Sequence, residues 1–287
     1  MTDTVVHTAT SNHVEGSYAD VLGVKVSALN MDQAIRQTDA WIASGQCGFI
    51  CVTGVHGVME AQRDLEFLRI LNSAMLNAPD GMPMSWVGHL QGFTEMDRVY
   101  GPDFMAELCR LSVPRGYRHF LYGGDEGVAE LLRKSLESKF PGIEVVGTFT
   151  PPFRDLTREE EAQLCAQIES TKPHIMWIGL STPKQERFMA RYVERLGVPL
   201  LVGVGAAFDY HTGRLRDCPR WIKRAGLQWL HRLFQDPRRL WKRYARNNPE
   251  FLWKMTLQLL HLRSSFAVPR EPVVAVDASA SAEGLSK

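Results

Sequence analysis

The stretch "NAPDGMPMSWVGHLQG", residues 77–92, places one carboxylate, Asp80, between Pro79 and Gly81 in otherwise apolar surroundings. Two readings of it follow from residue type. Proline and glycine supply turn dihedrals, so P-D-G needs no further purpose than a turn. A lone carboxylate beside Met82, Met84 and Trp86 is equally suited to general-base chemistry, because apolar walls raise a carboxyl pKa and limit water access. These residues by themselves leave both readings open.

The elements that would position such a group read as strand, helix, strand. "ADVLGVKVSAL" suits an opening strand or hairpin, and "MDQAIRQTDAWIAS" has helical spacing. "GFICVTG", "YRHFLYGG", "IEVVGTF", "HIMWIGL" and "PLLVGVGAAFD" are short apolar strands. Between them lie the helical "DEGVAELLRKSLESKF", "TREEEAQLCAQIEST" and "PKQERFMARYVERLG", while Leu68–Leu76 and Met82–Leu90 are further apolar runs, the first with helical character. Short apolar strands alternating with amphipathic helices predict an α/β fold: a Rossmann-like, mainly parallel sheet with helices on both faces. Residues 1–18 read as a polar disordered arm and 263–287 as a disordered Ala/Ser/Pro-rich tail. Residues 19–213 form the expected α/β unit.

Open α/β sheets bind ligands beyond the carboxyl ends of their strands. Those ends here include Thr53-Gly54-Val55-His56, Tyr122-Gly123-Gly124-Asp125, the loop 179–185, and the loop from Gly203 through Gly205 to Asp209. Glycines let a backbone approach a ligand, and the helices that follow offer N-termini to phosphate. A single glycine loop is as often plain turn chemistry. "GVGAAF" lacks the third glycine of a dinucleotide fingerprint, and "YGGDEG" is not followed by the G-K-[ST] of a P-loop. An NAD-type oxidoreductase would need that fingerprint in the first strand–helix loop, Thr53–Gly57, which fails. His56, His174 and His211 show no metal spacing and no Asp-x-Asp occurs, so neither a metal nor another cofactor is expected.

The formal net charge of +1 hides an asymmetry. From Arg214 onward the chain is helical, aromatic and basic, with Pro237 opening a helix and "NNP" at 247–249 expected to break one. The segment 214–262 is read as an appendage. Its arginines with interleaved tryptophans suit either single-stranded nucleic acid or an anionic lipid surface. Five cysteines without a C-x-x-C pair suit a reducing compartment, and the N-terminus lacks a signal-peptide pattern. Without a run of about 20 apolar residues, a soluble or peripheral cytoplasmic protein is expected.

"NAPDGMPMSW", "ERF" after "STPKQ", "GVGAAFD", "CPRWIKRAGLQWLHRL" and "DPRRLWKRYARNNPEFL" occur in that order between about residues 20 and 255. Together they resemble the WecG/TagA/CpsF glycosyltransferases, glycosyltransferase family 26. The resemblance implies inverting, metal-independent transfer of a hexose or N-acetylhexosamine from a UDP-sugar. The acceptor would be a polyprenyl-diphosphate-linked saccharide at the inner face of the cytoplasmic membrane, in cell-surface polysaccharide synthesis. It implies a Rossmann-like core whose helical appendage meets the membrane, and it favours lipid over nucleic acid as partner; a homo-oligomer is left open. Asp80 falls on the proposed base. Thr53, Arg98, Gln185, Gly205, Phe208 and Asp209 fall on substrate-binding positions, Asp209 being assigned to ribose or uracil because a carboxylate repels phosphate. Arg214, Arg216, Arg220, Arg224, Arg232, Arg238 and Arg239 are assigned to the acceptor diphosphate and the membrane. Val55 stands where the family often has Asn, which opens the identity of the transferred sugar, and "EMDRVYG" is spaced differently around Arg98.

Overall fold

A computed structural model describes residues 17–260. Of the arm expected over residues 1–18, residues 1–16 lie outside the described residues while Tyr18 opens a strand, and the tail expected over 263–287 lies wholly outside them. A two-stranded hairpin, β1 (Tyr18–Val21) and β2 (Val24–Ser27), precedes α1 (Met31–Ser44), β3 (Gly48–Thr53), α2 (Val55–Ala61), α3 (Leu65–Ser73) and β4 (Leu76–Pro79). Next come α4 (Met82–Leu90), α5 (Gly101–Arg115), β5 (Arg118–Gly123), α6 (Val128–Lys139), β6 (Glu144–Phe149), α7 (Arg158–Thr171) and β7 (Ile175–Gly179). The chain continues through α8 (Lys184–Leu196), β8 (Leu200–Gly203), α9 (Ala207–His211), α10 (Arg220–Arg224), α11 (Gln228–Gln235) and α12 (Pro237–Leu259).

Local sequence explains most of these boundaries. Asn30 opens α1 with a capping box completed by Gln33, and Gly45 closes it in the left-handed region. Thr157 and Glu160 do the same at the start of α7. The strands alternate their side chains between two faces, as a period of two requires. Phe49 and Cys51 face one core with α2, α3, α7 and α8, whereas Ile50 faces the other with α1, α5 and α6. Both faces are covered, which is why these strands are apolar throughout.

Six strands form one sheet in the order β4-β3-β8-β7-β5-β6, every neighbouring pair being parallel. The expected α/β class is therefore observed. The topology matters for the site: β8, the last strand, inserts beside β3, the first of the six. This sets the loops after Thr53, Gly179 and Gly203 at one edge of the molecule, although they are far apart in sequence.

Three local readings need correction. The helical run placed at Leu68–Leu76 ends at Ser73, and Leu76 opens a buried strand, β4, four residues long and ending in proline. The strand read through Asp209 stops at Gly203; Gly205 turns the chain at φ 52° and Ala207–His211 is helical. Pro249 does not break α12, which runs through it. An internal proline forfeits a hydrogen bond and crowds the preceding turn, a cost of about 3 kcal/mol. Tertiary packing offsets it here, since Leu240, Asn247, Phe251 and Met255 are all buried. Phe251 and Met255 belong to the same core cluster as α2 and α3. Arg63 on the α2–α3 turn binds Asn247 at 3.0 Å and Glu250 at 2.6 Å, tying α12 to the sheet's helical layer.

Candidate active site

Asp80 follows the last residue of β4. Its N–H donates to the Thr53 carbonyl at 2.9 Å, extending the β3–β4 ladder by one rung, and Gly81 at φ 88° then turns the chain into α4. Gly54 must be glycine for this approach, because a Cβ there would lie 2.9 Å from the Asp80 carbonyl oxygen. The carboxyl is therefore fixed on a strand end, at the floor of a cleft of about 2160 Å³ over the carboxyl edge of the sheet.

Burial raises the pKa of Asp80 to about 6, with Arg98 and Arg232 opposing the rise and Asp103 adding to it. A carboxyl in that range is ionised at neutral pH yet a much better proton acceptor than one at 3.8. The two opposing guanidinium groups arrive from different parts of the chain. Arg98 sits 4.7 Å over the ring of Tyr100, donates to Gln228 Oε1 at 2.9 Å and lies 3.8 Å from Asp103. Arg232, on α11, sits 5.9 Å from the ring of Tyr210, which meets Tyr100 edge to face at 5.8 Å. Lys223 covers the Tyr100 ring as well, at 4.8 Å, and pairs with Asp217.

The segment after residue 213 thus contributes directly to the cleft. Gly226 turns at φ 70° against Trp86 of α4, so closely that a Cβ would lie 2.6 Å from the indole ring. Trp86 is six residues from Asp80, so α4 carries both the group after the carboxylate and the surface on which the C-terminal segment rests. Arg239, Arg243 and Tyr244 of α12 complete the wall.

The other expected residues distribute as follows. Thr53 is buried at the cleft floor and its Oγ1 has no partner among the described residues. Gln185 is buried, its Oε1 accepting from the Gly205 N–H at 3.0 Å and its Nε2 donating to Glu186 at 3.0 Å, so it holds the Gly205 loop in place. Phe208 packs its ring on Gly179, where a Cβ would come within 2.7 Å. Asp209 is half-buried, its pKa raised by burial against the pull of Arg214. Arg214 pairs with Asp125 at 2.9 Å and with Asp209 at 3.4 Å. Asp80, Thr53, Arg98, Gln185, Gly205, Phe208, Asp209, Arg232 and Arg239 all line the one cleft, whereas Arg216, Arg220, Arg224 and Arg238 are exposed outside it.

Sequence reasoning missed Tyr100, Lys223, Arg243 and Glu186 as cleft residues, while His56 was placed at a ligand-binding strand end without a role. A signal existed for part of this set. Arg239, Arg243, Asn247, Phe251 and Met255 recur every four residues, a single helix face, and reading "NNP" as a break hid it. His56 is half-buried, and burial lowers its pKa to about 4, with Arg243 lowering it further and the Thr182 carbonyl opposing. Its Nδ1 meets Asn247 Nδ2 at 3.1 Å, so it serves as a neutral hydrogen-bonding group. Among the described residues, no three His, Cys, Asp or Glu side chains cluster as a metal site.

Asp80 thus lies at the carboxyl edge of a parallel sheet, in a cleft that Arg98 and Arg232 also line. The model of the Glycosyl transferase WecG/TagA/CpsF family matches residues 19–265, and the chain belongs to that family of glycosyltransferases. It is 27% identical over 183 residues, 64% of this chain and 69% of the relative, to an N-acetylglucosaminyldiphosphoundecaprenol N-acetyl-beta-D-mannosaminyltransferase of Bacillus subtilis (strain 168). An enzyme of the same name from Bacillus spizizenii (strain ATCC 23059 / NRRL B-14472 / W23) is 28% identical over 206 residues, 72% of this chain and 76% of the relative. A third, from Staphylococcus aureus (strain MRSA252), is 23% identical over 240 residues, covering 82% of this chain and 91% of the relative.

Proposed function

We propose that this glycosyltransferase moves an N-acetylhexosamine or hexose from a UDP-sugar, with inversion, onto a saccharide linked through diphosphate to a polyprenyl lipid. The observation that carries the reading is the Asp80 carboxylate, held on a strand end with its pKa raised to about 6 and faced by Arg98 and Arg232. Asp80 takes the proton of the acceptor hydroxyl. The acceptor oxygen forms its bond to the anomeric carbon from the side opposite UDP, the bond from that carbon to the β-phosphate oxygen breaks, and UDP departs with the electron pair. A single displacement needs one base on the attacking side, and Asp80 takes that role.

The departing diphosphate gains negative charge, which cationic and N–H donors must meet in a cleft shielded from water. Arg98, Arg232, Arg239 and Arg243 supply forked donors on that wall, and the reaction proceeds without a divalent metal. Asp209 and Phe208, on α9, take the nucleoside.

The lipid-linked acceptor remains in a bilayer, so the cleft must come to the headgroup plane. Among the described residues no helix is long and apolar enough to cross a membrane. Exposed Trp221, Phe234, Trp241 and Trp253 interleave with exposed Arg220, Arg224 and Arg238 on α10–α12, a composition that suits an anionic lipid surface at the inner face. The names of the relatives point to undecaprenyl-diphosphate N-acetylglucosamine as the first acceptor to try and N-acetylmannosamine as the first sugar. The test is a screen of UDP-sugars against that acceptor, reading UDP release. No release with any UDP-sugar in the presence of acceptor and anionic vesicles overturns the reading.

A further inference from the structure

Two apolar helix faces border the cleft, and the functional reading above gives them no task. On α4, Met82, Trp86 and Leu90 recur every four residues and so share one face, which starts two residues after Asp80. Leu90 is 70% exposed and Trp86 44%. On α12, Leu252, Met255 and Leu259 recur at spacings of three and four, and Leu252 is 66% exposed. Both rows line the cleft. The helix α4 carries no Asp, Glu, Lys or Arg, and residues 251–259 carry only Lys254, which pairs with Glu250 at 2.6 Å.

The far ends of the two helices are tied to one point. Gln91, the C-cap of α4, and Gln258 of α12 both donate to the carbonyl oxygen of Asp20 in β1, at 2.7 Å and 2.9 Å. Gln258 also accepts from the Leu22 N–H at 2.9 Å. Leu90 and Leu259, each one residue from its glutamine, therefore stand at the same end of the cleft. Beneath them, Met84 and Val87 of α4 share a core cluster with Phe251 and Met255 of α12. The two rows are thus the walls of a preformed groove.

We propose that this groove holds the first isoprene units of the acceptor's polyprenyl chain. The inference rests on the lipid-linked acceptor reading above. The order of polarity along α12 carries it. Arg238, Arg239, Lys242, Arg243 and Arg246 make the first half cationic, and the apolar row begins at Leu252, about 14 Å beyond Arg243 along the helix axis. A polyprenyl-diphosphate saccharide has the same order: reacting hydroxyl, then diphosphate, then hydrocarbon. With the hydroxyl at Asp80, the acceptor's diphosphate lies over the cationic half of α12 and its hydrocarbon over the apolar half. The chemistry of the walls selects the occupant. A peptide would bring backbone N–H and C=O groups that these side chains cannot satisfy, whereas a hydrocarbon brings none.

The test uses the full chain without detergent or vesicles, and a variant combining Leu90→Gln with Leu252→Gln. Both positions are exposed, so an unlowered Tm is expected. Calorimetry compares farnesyl diphosphate, below its aggregation concentration, with methyl diphosphate. Wild type is expected to bind the farnesyl compound at least about tenfold more tightly, and the variant to bring that ratio within about twofold of unity, because two leucine covers are lost. Methyl diphosphate should bind both chains equally. Equal wild-type affinities for the two compounds overturn the proposal, as does a variant that keeps the wild-type preference. A variant that keeps the preference but no longer sediments with vesicles makes the leucines bilayer contacts, and a wild-type dimer lost in a variant of unchanged preference makes the groove a contact between copies; each overturns it. Wild-type chain that prefers farnesyl diphosphate yet turns over no UDP-sugar refutes the functional reading and leaves the isoprenoid site standing.

Discussion

Replacing Asp80 by Asn removes one proton acceptor and nothing else of size, and the structure assigns opposite signs to its effects on activity and stability. The rise of the Asp80 pKa from 3.8 to about 6 is worth about 3 kcal/mol at about 1.36 kcal/mol per pH unit. The folded state holds the proton more tightly than the unfolded one between those two values, so stability falls as pH rises through that window. Below about 3.8 both states are protonated and the penalty is absent; above about 6 it is present in full. Asp80→Asn lacks the ionisation, so at pH 8 it is expected to be more stable than wild type by up to about 3 kcal/mol, and at pH 4 nearly equal. Activity moves the other way. A general base contributes about 10²–10⁴ in rate, and the Asn variant is expected to lose that factor while binding UDP-sugar normally. The wild-type kcat/KM is expected to rise with pH through about 6 and then level, because Asp80 must be ionised to take the proton. Denaturant unfolding at pH 4 and pH 8, with UDP release from pH 5 to 8.5, measures all three effects. A variant within a few-fold of wild-type activity would refute the base, and one destabilised at pH 8 would refute the cost of burying it.

Arg232→Gln removes a cation that lowers the Asp80 pKa, so the acidic limb of the pH–rate profile should move to higher pH; an unmoved limb would separate Arg232 from the base. EDTA is expected to leave turnover unchanged, and a strict requirement for Mg²⁺ or Mn²⁺ restored by add-back would contradict the arginine assignment for the diphosphate. Gly226→Ala combines a left-handed φ of 70° with a Cβ 2.6 Å from Trp86, and at about 1–2 kcal/mol for the backbone alone it should lower Tm and cut kcat. Wild-type kinetics there would mean the α10–α11 turn does not support the cleft. Arg220→Gln, Arg224→Gln and Arg238→Gln combined should weaken sedimentation with anionic vesicles by about 100-fold, at about 1 kcal/mol per charge. Activity on a short-chain soluble acceptor should persist; equal loss on soluble and lipid acceptors would place those arginines in the reaction.

Deletion from residue 214 is the less clean test of the same segment. It would strip Phe251 and Met255 from the core they share with α2 and α3, and large-to-small changes at such positions cost about 2–5 kcal/mol each.

The sequence alone determined whatever depends on neighbours along the chain. Apolar strands of four to six residues alternating with amphipathic helices required a sheet buried on both faces. The ordered motifs from "NAPDGMPMSW" to "DPRRLWKRYARNNPEFL" carried the family and singled out Asp80. What the sequence left open about Asp80, turn or base, is a matter of dielectric and distance. Only the tertiary structure gives these, because Arg98, Asp103 and Arg232 reach the carboxylate through space from three separate elements. β4 was illegible because four residues ending in proline carry too little pattern; their pairing with β3 makes them a strand. The sequence of α12 reads as broken at Pro249, yet burial of Asn247, Phe251 and Met255 holds it continuous. That continuity aligns Arg239 and Arg243 along one face toward the cleft.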